Sequence, residues 1–100
     1  MKDTGFFLTV RKEDQLKFKH FRHTLHLTIA MPVTDLDLSL LPDLQYCNAT
    51  NCKIFNVYGV ESIESKGCQI YLTDNFLTSD TICYLTEMQK QGYTNIKLWG

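Results

Sequence analysis

The chain lacks any long hydrophobic run. No stretch approaches the ~18 uninterrupted apolar residues of a membrane-spanning helix. The opening MKDTGFFLTVRKED offers only the short run FFLTV before a charge cluster, which does not make a secretory leader. The expectation is a cytoplasmic protein with no membrane association. Proline and glycine are scarce, at two and five residues, and apolar residues make up 44% against 21% charged. That balance excludes a disordered, low-complexity chain. A hundred residues suffice for a single domain with one modest core. The four cysteines, Cys47, Cys52, Cys68 and Cys83, are too few for a disulfide scaffold and show no C-x-x-C pairing, so they are read as reduced, small core residues. Asn48-Ala49-Thr50 spells a glycosylation sequon, read as coincidence without a secretion signal. The net charge of -1 hides an uneven distribution: Arg11, Lys12, Lys17, Lys19 and Arg22 make the first quarter basic, whereas Asp35, Asp37, Asp43, Glu61 and Glu64 make the middle acidic.

Periodicity marks several elements. Leu25, Leu27, Ile29 and Met31 alternate with His26, Thr28 and Ala30, predicting a strand over 24–31 that Pro32 ends. Phe6 to Val10 predicts a first strand, while 12–23 fits either a poor helix or a second hairpin arm. Gln69 to Leu72 reads as a short strand. Thr78, Ser79 and Asp80 then supply the N-cap and first turn of a helix carrying Ile82, Leu85 and Met88 on its inner face, with Lys90 in its last turn and Gly92 at its left-handed exit. Tyr93 to Trp99 alternates as a further strand, so strand, helix and strand make a parallel βαβ unit.

The most specific signal is a repeat. Residues 44–54, LQYCNATNCKI, follow L-x-x-L-x-L-x-x-N/C-x-L with Cys47 and Ala49 at two apolar places and Cys52 at the ninth. Residues 67–77 repeat it, with Gly67 at the opening position, Ile70 and Leu72 inside and Asn75 at the ninth. Tyr93-Thr-Asn-Ile96-Lys-Leu98 restarts it, and Arg22-His-Thr-Leu25-His-Leu27 begins it. The opening positions 22, 44, 67 and 93 are spaced by 22, 23 and 26 residues, within the ~20 to 29 of leucine-rich repeats. Over roughly 22–100, and most strongly over 35–77, the chain resembles the leucine-rich-repeat family. Gly67, Arg22 and Ala30 depart from the pattern. The resemblance implies an α/β fold, a short repeat unit with a mostly parallel sheet over 22–100, preceded by a cap or hairpin over 1–21. An α+β sandwich ending in a βαβ unit is the alternative. In the repeat, Asn75 is expected to satisfy turn backbone groups and Cys52 to pack.

No motif assembles a catalytic site. His20, His23 and His26 share a three-residue spacing but have no cysteine or acidic ligand beside them, and His23 and His26 diverge if a strand starts at 24. Asp35 and Asp37 are two apart without a partner that would make an acid–base pair. Phosphate loops and serine elbows are missing. The expectation is therefore a non-enzyme with no cofactor or metal. The basic run from Arg11 to Arg22, interleaved with Phe18 and Phe21, superficially suits nucleic acid, which the net charge disfavours. What remains is the outward sheet face. In the repeat register, Thr24, His26 and Thr28, then Tyr46, Asn48 and Thr50, then Gln69, Tyr71 and Thr73, then Asn95, Lys97 and Trp99 point out. His26, Tyr46, Asn48, Thr50, Gln69, Tyr71, Thr73, Lys97 and Trp99 are the candidate partner-binding residues, because tyrosine and tryptophan anchor protein interfaces. The expected function is a protein-binding module, with a homodimer through the C-terminal edge as a further option. The alternative is a small α+β inhibitor, of an immunity or anti-defence kind, that blocks an enzyme or a nucleic-acid-binding site.

Overall fold

The computed structural model describes residues 7–12 and 22–99. Five front strands, β1 (Phe7–Val10), β2 (His26–Ile29), β4 (Tyr46–Asn48), β6 (Gln69–Tyr71) and β7 (Ile96–Lys97), form one sheet in the order β1-β2-β4-β6-β7, and two back strands, β3 (Asp35–Asp37) and β5 (Asn56–Tyr58), form a second. Every pairing is parallel. A 3-10 turn at Val60–Ser62 and one helix, α1 (Ser79–Lys90), complete the back. The chain thus winds in stacked coils, each running up a front strand and returning along the back: the protein is a small α/β domain with a mostly parallel sheet. Among the described residues no strand pair is antiparallel, so the α+β sandwich does not describe it.

Alternation builds the core. Leu8 and Val10, Leu27 and Ile29, Cys47 and Ala49, Ile70 and Leu72, Ile96 and Leu98 turn inward from the front sheet and are buried. Leu36, Leu38, Leu41, Val57, Val60, Ile63, Leu85 and Met88 meet them from the back. Each coil alone is too small to cover its apolar face, so stacking is what buries it. Gly59 is required where two coils touch. Its φ is +85°, and a Cβ there would lie 2.3 Å from the Ser39 backbone nitrogen.

The register corrects the sequence reading at three places. Leu27 pairs with Cys47, so the coil opens at Thr24 rather than Arg22. Thr24, expected to point out, is fully buried at the opening position, and Leu25, expected inside, is only half-buried. A shift of two residues leaves strand alternation unchanged, so only packing separates the registers, and packing accepts a threonine where it refuses an arginine. Secondly, Leu8 pairs with Leu27, which makes β1 the first strand of the stack. The coil therefore lengthens from 19 residues (Leu8 to Leu27) to 20 (Leu27 to Cys47), 23 (Cys47 to Ile70) and 26 (Ile70 to Ile96). The extra length holds α1. The segment 12–23, expected as helix or hairpin arm, lies almost wholly outside the described residues. Thirdly, the predicted strand over 93–99 contracts to Ile96–Lys97. Gly92, with φ +114°, and a turn at Thr94 and Asn95 hold Tyr93 out of the strand. Its buried hydroxyl donates instead to the Ile63 carbonyl at 2.8 Å.

The helix is as the sequence predicts at its ends. The Thr78 hydroxyl accepts from the Thr81 N–H, and Lys90 occupies the last turn. Its buried positions are Thr81, Leu85 and Met88. Ile82, expected inside, is half-buried at the rim.

Candidate functional site

The front sheet turns one row of side chains inward and the other outward, and the outward row forms a continuous band. One rung runs Phe7, His26, Tyr46, Gln69 and the next runs Thr9, Thr28, Asn48, Tyr71, Lys97. Parallel strands ~4.8 Å apart bring successive outward rings into contact range. The His26 ring lies 4.8 Å from Phe7 and 5.6 Å from Tyr46 between centroids, and Tyr46 lies 5.6 Å from Tyr71, all tilted. Four rings from four strands make a ladder across the sheet. The Tyr71 hydroxyl donates to Gln69 Oε1 at 3.1 Å, which fixes the last ring.

The structure brings six of the nine predicted residues onto these strands: His26, Tyr46, Asn48, Gln69, Tyr71 and Lys97. Thr50 and Thr73 stand in the turns just beyond. The Asn48 side chain accepts from the Thr50 N–H at 3.1 Å, so part of its polarity is used locally. Trp99 is 70% exposed and stands apart from the ladder, beyond the end of β7. It lines two shallow hollows with Ile82 and Leu98, one of them walled by Phe76 and Leu77. Phe7, also 70% exposed, belongs to the ladder and escaped sequence reading. Its alternation, FLTV, was visible, but nothing in the sequence placed that strand beside His26.

Below the face, one polar side chain ties two neighbouring coils together. Asn75 Oδ1 accepts from the Cys52 N–H at 2.8 Å and the Ile54 N–H at 3.0 Å, and its Nδ2 donates to the Ala49 and Leu72 carbonyls at 2.8 and 2.9 Å. One coil earlier, Cys52 holds the same position. Expected merely to pack, its thiol lies 3.2 Å from the Ile29 carbonyl and 3.3 Å from that of Thr50, and can donate to either. These bonds hold the turns in which Asn51, Lys53 and Asp74 take positive φ and from which Thr50 and Thr73 project.

Cys47, Cys52 and Cys68 are buried and only Cys83 is exposed. Burial pushes all three buried thiols up, Cys68 to about 12, and a thiol held protonated is a poor nucleophile. Among the described residues no three His, Cys, Asp or Glu side chains converge as metal ligands. Of the three histidines, His20 lies outside the described residues, His23 Nδ1 stands 3.3 Å from Asp43 Oδ2, and His26 sits in the ladder. Asp35 accepts from Asn56 Nδ2 at 2.8 Å on the back sheet, and Asp37 accepts from the Ser39 N–H at 2.9 Å. Both carboxylates are therefore engaged in holding local structure. Among the described residues no helix is long and apolar enough to cross a membrane. Comparison with protein-family models, curated proteins and solved structures finds no match for the chain.

Proposed function

We propose that this chain is a non-catalytic binding module of the leucine-rich-repeat type, which holds a protein partner on the outward face of its five-stranded sheet. The observation that carries the reading is the ring ladder Phe7–His26–Tyr46–Tyr71. Aromatic side chains offer large area with little rotamer entropy to lose, and rings already in mutual contact lose less still. The parallel coils of 20 to 26 residues from β2 onward and the bonds made by Asn75 and Cys52 at the ninth position support the family reading. Random-peptide selection on the full chain tests the function. Selected clones should lose at least about tenfold in affinity on the Tyr46→Ala, Tyr71→Ala double variant, an interface hot-spot effect, while the thermal melt stays close to the parent's. Clones that bind both proteins equally would place the binding surface elsewhere.

A further inference from the structure

Charge is segregated about the sheet. Of the eleven carboxylate residues in the chain, Asp3, Glu13 and Asp14 lie outside the described residues. The other eight all stand off the front strands, from Asp35 and Asp37 on β3 to Asp80 and Glu87 on α1. The outward rows of β1, β2, β4, β6 and β7 carry no carboxylate at all. They carry one lysine, the exposed Lys97, and Arg11 is exposed just past β1. The molecule is close to neutral as a whole, yet the front strands that carry its ring ladder hold no Asp or Glu.

From this segregation, and resting on the reading of the face as a binding surface, we propose that the partner segment is an extended acidic peptide with aromatic or aliphatic side chains at its centre. The rings take the apolar centre and Lys97 meets a carboxylate at the β7 end. Five strands span about 19 Å, which roughly six extended residues cross. No carboxylate on the rungs opposes an acidic segment, whereas a basic one would meet Lys97 there. Nucleic acid fits less well. Binding to a phosphate backbone draws its strength from many Lys and Arg contacts, and the strands of this face offer a single lysine.

The test uses three synthetic peptides of about twelve residues that share a Tyr/Leu centre and differ only in flanks of Asp/Glu, Ser/Gln or Lys/Arg, with an oligothymidine of similar length. Each is titrated against the full chain, its Lys97→Glu variant and its Tyr71→Ala variant, with thermal melts as the check on folding and Lys97→Gln in reserve should Lys97→Glu fail to fold. The acidic peptide should bind about tenfold more tightly than the neutral one, and that margin should shrink between roughly 0.1 M and 1 M salt. Lys97→Glu should remove the margin and leave the neutral peptide unaffected. Tyr71→Ala should weaken both alike. Equal or better binding by the neutral or basic peptide, a margin indifferent to Lys97→Glu, tighter binding of oligothymidine, or no binding by any peptide overturns the proposal. The two readings fail differently: a neutral peptide sensitive to Tyr71→Ala but matched by the acidic one removes only the charge preference, whereas insensitivity to Tyr71→Ala removes the face itself.

Discussion

Asn75 shows how much a single polar side chain can hold. Its amide meets two N–H groups and two carbonyls at 2.8 to 3.0 Å across two successive turns, and Cys52 and Ile54, which donate to it, are themselves buried. Asn75→Ala removes the acceptor for two backbone donors beneath the coil, at a cost of roughly 1 to 3 kcal/mol for each left unsatisfied. We expect a drop in stability of about 2 to 5 kcal/mol in urea unfolding, larger than for any exposed residue of the ladder. A loss below about 0.5 kcal/mol, the size of an ordinary surface change, would show that water replaces the amide. The thiol of Cys52 fills the same place one coil earlier, facing the Ile29 and Thr50 carbonyls.

At the scale of elements, α1 is joined to the preceding coil through Tyr84. Its hydroxyl accepts from the Val60 N–H at 2.9 Å and donates to the Glu61 carboxylate. Burial, and then the bond to Glu61, push the phenol from its ordinary 10 up to about 12. A group whose pKa is raised on folding contributes stability that is full below its unfolded value and is lost as pH rises through the folded one. The contribution of Tyr84 is therefore complete below about pH 10 and gone above about pH 12. The buried thiols of Cys47 and Cys68 act in the same direction, so the comparison that isolates Tyr84 is with Tyr84→Phe. In chemical unfolding followed across the alkaline range, the stability gap between parent and variant should be widest near neutral pH and close as pH rises towards 12. A gap that stays constant would mean that the phenol never ionises differently in the two states.

Among the described residues the whole molecule is a stack that ends in two outer strands. β1 and β7 hold those places in the front sheet, and a strand edge left unpaired invites addition of another chain. At β7 the edge is partly closed from within, because Gln89 Nε2 donates to the Ile96 carbonyl at 2.9 Å. Trp99 stands beside that edge over hollows walled by Ile82, Leu98 and Phe76. With so much of its surface in solvent, Trp99→Ala should leave the melting temperature unchanged within the error of the measurement. If two copies associate through this edge, the same substitution should weaken them by roughly 2 kcal/mol, a hot-spot loss, seen as a dissociation shifted to higher concentration in sedimentation. A lowered melt would make Trp99 a packing residue, and unaltered association would remove it from any such contact.

The division between what the sequence determined and what folding decided follows from the symmetry of a strand. Alternation has a period of two, so it was enough to separate Leu27, Ile70 and Ile96, which are buried, from His26, Gln69 and Lys97, which face out, and the outward set was legible without coordinates except for Phe7, which it missed, and Thr24, which is buried. The helix was legible too, because Thr78, Lys90 and Gly92 are local signals read over a few residues. The same period hides register. A slip of two residues preserves both faces, and only the close packing of Thr24 against its neighbours chooses between Thr24 and Arg22 as the opening position. The ring contacts and the separation of charge are further still from local sequence. Phe7, His26, Tyr46 and Tyr71 are scattered over more than half of the chain, and they become neighbours because coils of unequal length return each strand to the same height in the stack.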